Sequence, residues 1–194
     1  MDQQATALLA ALRRTSASSE SKLTLLNILK SDIKHYRVPD NAQATIFDCL
    51  KIAIAQQTSS SIIPAAFSTL SHLIKRLKIQ DPEGKAIHTY APRLFATLQE
   101  RLGDQRDTHR QGASQALADL WPFCPQDIET LIRDDAISGS SVRAKQEGMQ
   151  WVVTMHEESS LPFKSFVPVL VVCLEDADGS VREAAKSAVV ELFR

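Results

Sequence analysis

Four residues whose side chains can do chemistry stand within seven positions of this sequence. They supply an acid, a hydroxyl, an imidazole and a guanidinium: Asp104, Thr108, His109 and Arg110. A hydroxyl beside a base, with an arginine to hold an anion, is a combination that nucleophilic catalysis and anion binding both use. The acid, hydroxyl and arginine return at the same spacing later in the chain, at Asp176, Ser180 and Arg182. Two interpretations follow: a functional constellation, or residues that hold a repeated scaffold together.

A third, less complete copy supports the scaffold. Ser141 and Arg143 align with the hydroxyl and the arginine, whereas Ile137 takes the place of the acid. Successive hydroxyl residues are 33 and 39 positions apart. That period is typical of solenoids built from helical hairpins.

Each aligned hydroxyl stands where a helix N-cap is expected. Thr108–Gln111 and Ser180–Glu183 fit the capping box, and small and apolar residues then recur at helical spacing. Ser141 is the third predicted cap. Another helix is predicted before each loop, over 83–103, 125–137 and 163–175.

The first eighty residues lack the acid–hydroxyl–arginine signature but have a similar succession of helices separated by turns. Helices are predicted over 2–14, 20–37, 41–56 and 62–79, the last capped by Ser60 or Ser61. The chain then has ten helices in five antiparallel pairs. The predicted fold class is all-α, an α-solenoid forming a single domain over 1–194.

Composition narrows the function classes. The chain is 44% hydrophobic and 23% charged, which is ordinary for a soluble globular protein. Net charge is −1, with 12 Lys/Arg against 8 Asp/Glu in 1–100 and 10 against 15 in 101–194. This balance argues against a uniformly basic nucleic-acid surface. No run approaches the roughly 20 apolar residues of a membrane span, and three widely spaced cysteines favour reduced, mostly buried thiols in the cytosol or nucleus.

The repeated arginine needs a structural explanation. An arginine at the second helical position faces the positive end of the helix dipole, at a cost of about 0.3–1 kcal/mol. The acid six residues earlier is the obvious partner, so we predict an arginine–carboxylate ladder along the stacked loops. Its members are Asp104, Arg110, Asp176 and Arg182.

The last copy resembles the HEAT repeat, in which a proline is followed by an aspartate and then by Val-Arg at the start of the second helix. Pro168, Asp176, Val181 and Arg182 match that spacing. The resemblance implies about five HEAT-like antiparallel helix pairs and favours the structural interpretation of the arginines.

The sequence offers little for catalysis. It has no Ser/His/Asp order of a hydrolase and no glycine loop for phosphate, and its five histidines lack ligand spacing. We therefore predict a protein that is not an enzyme, with no catalytic residues, metal, cofactor or small-molecule substrate. Trp121 and Trp151 are interpreted as core residues.

A short solenoid of this kind binds protein partners along an edge. The candidate edge is the row of turns inside the hairpins, at 15–19, 57–61, 104–107, 138–140 and 176–179. Its candidate binding residues are basic: Arg14, Lys22, Arg106, Arg143, Lys145, Arg182 and Lys186. A basic strip in a neutral-to-acidic module suggests an acidic protein partner, and a merely solvated edge is the alternative.

Two segments give the family resemblance. RLGDQRDTHRQGASQALADLW and SGSSVRAKQEGMQWVV are similar to the third and fourth repeats of CLASP-type microtubule regulators. The start at Met1 and the weak signature of the first repeats resemble the N-terminal TOG domain of a fungal CLASP. That resemblance implies a flat TOG-type paddle at the start of a longer chain, acting at microtubules, spindle and kinetochore.

TOG domains of this family typically bind tubulin with an aromatic residue in the first turn and basic residues in later turns. Here the first turn, TSASSES, has no aromatic residue, and the second, QTSSS, has neither an aromatic nor a basic one. We therefore expect weak or no tubulin binding and a role in localisation or regulation, through a kinetochore or spindle protein. A genuine tubulin binder and an unrelated HEAT scaffold are the alternatives, and neither nucleic acid nor membrane is an expected partner.

Overall fold

The computed structural model describes residues 1–56 and 61–194. Within those two ranges every regular element is helical and no residue lies in a β-strand, so the all-α prediction is confirmed. The chain divides into two compact units. The first contains Met1–Thr97 with Pro122–Cys124, and the second contains Leu98–Trp121 with Pro125–Arg194. The single domain over 1–194 stays a prediction.

The first unit is built from two helical hairpins and a shorter third segment. Its elements are α1 (Asp2–Arg13), α2 (Ser19–His35), α3 (Asp40–Ala55), α4 (Ile62–Gln80), α5 (Lys85–Tyr90), a 3-10 turn (Ala91–Leu94) and the start of α6 (Phe95–Leu102). Helix α1 packs on α2 and α3, and α4 packs on the same two helices. Equivalent helices of successive hairpins are therefore neighbours, as in a solenoid.

The second unit continues this pattern. Its elements are the end of α6, α7 (Asp107–Leu120), α8 (Pro125–Thr130), a π-helical turn (Leu131–Ile137), α9 (Val142–Ser159), a 3-10 turn (Phe163–Phe166), α10 (Val167–Cys173) and α11 (Gly179–Leu192). Helix α9 lies at the centre, in contact with α7, α11 and the π-helical turn. Among the helices of 1–56 and 61–194, none is long and apolar enough to cross a membrane.

Two prolines explain why predicted helices are interrupted. Pro92 lies in the 3-10 turn before α6, and Pro168 lies in the first turn of α10. Proline has no N–H and its ring clashes with the preceding turn, so an α-helix restarts there. The predicted helices 83–103 and 163–175 are each divided into shorter helical segments near these prolines, and the segment 125–137 ends as a π-helical turn.

The caps only partly follow the prediction. Ser141 caps α9, because its hydroxyl accepts the Ala144 N–H. The predicted caps Thr108 and Ser180 are wrong: α7 begins at Asp107, and Asp178 caps α11 by accepting the N–H groups of Ser180 and Val181. A carboxylate is the stronger acceptor at the positive end of a helix. Ser61 is the N-cap residue of α4, and Ser60 lies outside the described residues.

The three thiols are buried, as predicted from their spacing. The Cys49 thiol donates to the Ala5 carbonyl at 3.3 Å. Burial, with a contribution from the charge of Asp48, raises the pKa of Cys49 to about 12. A thiol with this pKa stays protonated at neutral pH and is a poor nucleophile.

The close approach of α9 to the π-helical turn depends on Gly148. A Cβ atom at this position would lie 2.8 Å from Cγ1 of Ile137 and 3.4 Å from Cβ of Ala136. Replacing Gly148 with leucine should therefore overpack the contact and lower the free energy of unfolding by about 1–3 kcal/mol. Urea unfolding measures the effect, and Gln150→Leu on the exposed side of α9 is the control. Equal stability of G148L and wild type would contradict this packing account.

Candidate interaction site

Three hydrogen bonds hold the loop before α7, and they are made by the side chains of Asp104 and Arg110. Oδ1 of Asp104 accepts the N–H of Arg106 at 2.9 Å. Nη1 of Arg110 donates to the main-chain carbonyls of Asp104 and Gln105, at 2.7 and 3.1 Å. The side chain of Arg110 thus satisfies carbonyls that the turn leaves without an intrahelical partner.

The loop before α11 repeats this geometry. Oδ1 of Asp176 accepts the N–H of Asp178 at 2.9 Å, and Nη1 of Arg182 donates to the carbonyls of Asp176 and Ala177 at 2.7 and 3.1 Å. The conformation of the turn is therefore the common function of the repeated pair. The structure brings each acid and arginine together, but the predicted arginine–carboxylate contact is replaced by a contact with the main chain.

The carboxylate of Asp104 is occupied by other groups. Its Oδ2 accepts from Nη1 of Arg101 at 2.5 Å and lies 3.2 Å from Nδ1 of His109. Burial would raise the pKa of Asp104, but the Arg106 N–H, the Arg101 guanidinium and the His109 ring lower it to about 2. The side chains of Asp104 and His109 are 12% and 4% exposed. The acid and histidine of the initial cluster therefore belong to an internal polar network.

Ion pairs also connect consecutive repeats of the second unit. The ammonium of Lys145 on α9 bonds Oδ2 of Asp176, and Nε of Arg110 bonds Oε1 of Glu147 at 3.1 Å. The contact with Lys145, followed by the Asp178 N–H, lowers the pKa of Asp176. Ion pairs between consecutive repeats are thus present. They involve Glu147 and Lys145, neither of which was predicted to belong to the arginine–carboxylate ladder.

The predicted edge residues fall into two groups. Lys22 is only 8% exposed, Lys145 is engaged by Asp176, and Arg182 is engaged by its own turn. Lys22 is therefore a wrong assignment for an exposed edge, because it lies on the buried side of α2. The residues that remain exposed are Arg14, Arg106, Arg143 and Lys186, and Lys186 contacts Glu183.

Arg106 and Arg143 lie on turns that touch. A Cβ atom on Gly103 would come within 2.8 Å of the Ser141 hydroxyl oxygen, so the turns before α7 and α9 are in direct contact. In the part of the chain that the structure describes, neither Arg106 nor Arg143 has a side-chain ion pair. These two exposed arginines form the candidate basic site of the second unit.

The two tryptophans have structural positions. Trp151 is 2% exposed and lies in the core, as predicted. Trp121 is partly buried, and its Nε1 donates to Glu129 at 3.0 Å.

In the first turn of the candidate edge, Thr15 and Ser16 are exposed, and Ser18 caps α2 by accepting the Ser21 N–H. Most of the second turn, 57–60, lies outside the described residues.

The candidates for chemistry do not assemble into a reactive cluster. His109 is buried against Asp104, whereas Thr108 is exposed to solvent. Over the described positions, no three His, Cys, Asp or Glu side chains are grouped so that they could hold a metal ion.

The complete chain, residues 1–194, matches the model of the family described as CLASP N terminal. The chain belongs to this CLASP N-terminal family. It is 47% identical over 193 residues to protein STU1 of Phaeosphaeria nodorum and 44% identical over 194 residues to protein STU1 of Coccidioides immitis. Both alignments cover 100% of this chain but only 16% and 15% of those proteins. The chain thus spans less than a fifth of the length of these relatives.

Solved structures identify the fold of this CLASP N-terminal chain. The MAST/Orbit N-terminal domain has a TM-score of 0.82 at 23% identity, covering 100% of this chain and 83% of that domain. A structure reported for TOG–tubulin binding specificity has a TM-score of 0.75 at 18% identity, covering 97% and 71%. These likenesses confirm the TOG-type, HEAT-like α-solenoid. Family membership also removes the alternative of an unrelated HEAT scaffold.

Proposed function

We propose that this CLASP N-terminal region is a non-catalytic protein-interaction module of a microtubule and spindle regulator. It acts as one TOG-like domain that localises or regulates the longer protein, by binding a kinetochore or spindle component, and it binds tubulin weakly or not at all. Its place of action is the microtubule cytoskeleton of the cytoplasm or nucleus. The observation that carries this proposal is the internal use of the edge cations Lys22, Lys145 and Arg182.

The weak tubulin affinity that we expect follows from the absence of anchor residues, the few side chains that dominate the binding energy of an interface. Interfaces derive most of their affinity from a few buried aromatic and arginine side chains. The first turn has no aromatic residue, and exposed ion pairs contribute only about 0–1 kcal/mol each. Arg14, Arg106 and Arg143 alone would then give an encounter that is weak and sensitive to salt.

A second candidate function is direct tubulin binding through the later turns. It is favoured by the contact between the loops before α7 and α9, which places two exposed arginines, Arg106 and Arg143, at adjacent helix starts. Two of the neighbouring folds come from studies of tubulin recognition or recruitment by TOG domains. This candidate makes a different prediction in the same experiment.

Titration of the chain with purified tubulin dimers tests both candidates. We expect no saturable binding below about 10 µM, because the anchors are missing. The variant R106E/R143E is compared with K85E/K164E, which reverses two exposed lysines outside the turns. Micromolar binding that falls at least tenfold in R106E/R143E, but not in the control, would establish direct tubulin binding and overturn the proposal.

The localisation role is tested in the full-length protein. Fluorescence microscopy of dividing cells should show that deletion of residues 1–194 reduces recruitment to the spindle or kinetochore, while the purified deletion variant still binds microtubules. Normal recruitment of the deletion variant would refute this role.

A further inference from the structure

A second basic surface lies in the first unit, away from the turns. It is formed by one flank of α2 and the exposed side of α4, and its members are Lys30, Lys34, His72 and Lys75. We call these four residues the α2–α4 basic surface. Lys34 and Lys75 are exposed, and Lys30 and His72 are half-buried. None of them belongs to the candidate edge described above.

Polar contacts hold the two helices in register. Nε of Arg76 donates to the Ile33 carbonyl at 3.0 Å, and the same guanidinium donates to the Lys34 carbonyl. One residue of α4 thereby caps the C-terminal end of α2. Gln80 adds two hydrogen bonds with the main chain of Val38, at 2.8 and 3.0 Å. The position of the surface charges is therefore determined by packing and capping.

The surface lacks compensating acids. Helix α4 contains no Asp or Glu, and Lys30, Lys34 and Lys75 have no ion pair among the residues that the structure describes. Asp32 is the one acid near them on α2, but two residues along a helix turn by about 200°, which places it on the other flank. Burial and then the charges of Lys34, Lys75 and Lys30 lower the pKa of His72. The three lysines are thus close enough to His72 to disfavour its protonated form.

An apolar side chain stands among these charges. Ile79 is 72% exposed and follows Lys75 by four residues and His72 by seven, so it lies on the same side of α4. An exposed isoleucine in a basic surround gives a partner an apolar contact as well as charge complementarity.

We propose that the α2–α4 basic surface docks an acidic peptide segment of a partner protein, with carboxylates on the lysines and an apolar side chain on Ile79. A peptide fits better than a nucleic acid because the positive charge is local. The whole chain has a net charge of −1, and residues 1–100, which contain this surface, carry 12 basic against 8 acidic residues. Such a chain provides no long basic track for a polyanion. This surface goes beyond the proposed function, since it uses helix sides instead of turns.

Fluorescence anisotropy provides the test. The probe is a labelled synthetic 12-residue peptide of glutamate and aspartate with one central leucine, titrated with the chain at low ionic strength. We expect a Kd on the order of 10 µM, weakened at least tenfold in K30E/K34E/K75E. The matched control K51E/K85E/K164E reverses three exposed lysines elsewhere and should change the Kd less than twofold. Equal losses in both triple variants, or no binding by wild type, would overturn the proposal.

Four further measurements test parts of this proposal. Ile79→Ser should weaken binding of the leucine peptide and leave an all-acidic peptide unaffected. The pKa of His72, measured by NMR, should rise on peptide binding, because added carboxylates offset the repulsion from the lysines. An oligothymidine 12-mer that competes as well as the peptide would refute the choice of a peptide partner. R106E/R143E should bind the peptide like wild type, so failure here and failure in the tubulin experiment remain distinguishable.

Discussion

Replacing Asp104 with asparagine is expected to lower the free energy of unfolding by about 3 kcal/mol. The substitution keeps the size of the side chain and an oxygen that can accept the Arg106 N–H, but it removes the negative charge. The guanidinium of Arg101 and the ring of His109, both largely buried, then lose their carboxylate partner. Removing one member of a buried charged network costs far more than removing an exposed pair.

The same network predicts the acid dependence of stability. The pKa of Asp104 in the folded chain is about 2, below the ordinary value of 3.8. The folded state thus binds the proton less tightly than the unfolded state, and the stabilisation is complete above the unfolded value. It is lost as the pH falls from about 4 towards 2. Wild type should therefore lose stability more steeply over this window than D104N.

Chemical denaturation at a series of pH values measures both effects. The control is Asp107→Asn, since Asp107 contacts Arg110 but is 74% exposed. This control should change the free energy of unfolding by less than about 0.5 kcal/mol. A D104N protein as stable as D107N, with an unchanged acid transition, would show that Asp104 does not hold the turn.

The three aligned arginines should respond very differently to alanine. The guanidinium of Arg110 donates to two main-chain carbonyls and to the carboxylates of Asp107 and Glu147. Its side chain is 15% exposed. Its removal leaves these acceptors without a donor, and we expect a loss of about 2–3 kcal/mol. Arg143 occupies the same place in the alignment but is exposed, so R143A should stay within about 0.5 kcal/mol of wild type.

Urea unfolding of R110A, R182A and R143A separates structural from surface arginines. R182A should be destabilised in the same direction as R110A, because Arg182 binds the carbonyls of its own turn in the same way. An R143A variant that loses as much stability as R110A would refute this division. If Arg143 is a surface arginine as expected, the charges of Arg143 and Arg106 can be reversed in binding experiments without disturbing the fold.

The sequence by itself determined the repeat, the class of fold and the family. Helical spacing of apolar residues, prolines at helix starts and the Asp–Arg recurrence are local patterns, and local propensities give rise to them directly. The cap at Ser141 was also predicted from the sequence, because serine directly before a helix is a preferred N-cap residue. The cap of α11 was misplaced because Asp178, two residues before Ser180, takes the N-cap position and accepts the N–H groups of Ser180 and Val181, whereas α7 begins after Arg106 with no side-chain cap.

Only the tertiary structure decided which cations are free. Lys145 meets Asp176 across 31 residues, and Arg76 reaches the end of α2 across 42 and 43 residues. Lys22 is only 8% exposed, on the buried side of α2, which packs on α1 and α4. Such partners depend on how successive hairpins stack, which no local pattern encodes. For the same reason the α2–α4 basic surface is invisible in the sequence: its lysines lie on two helices that are far apart along the chain.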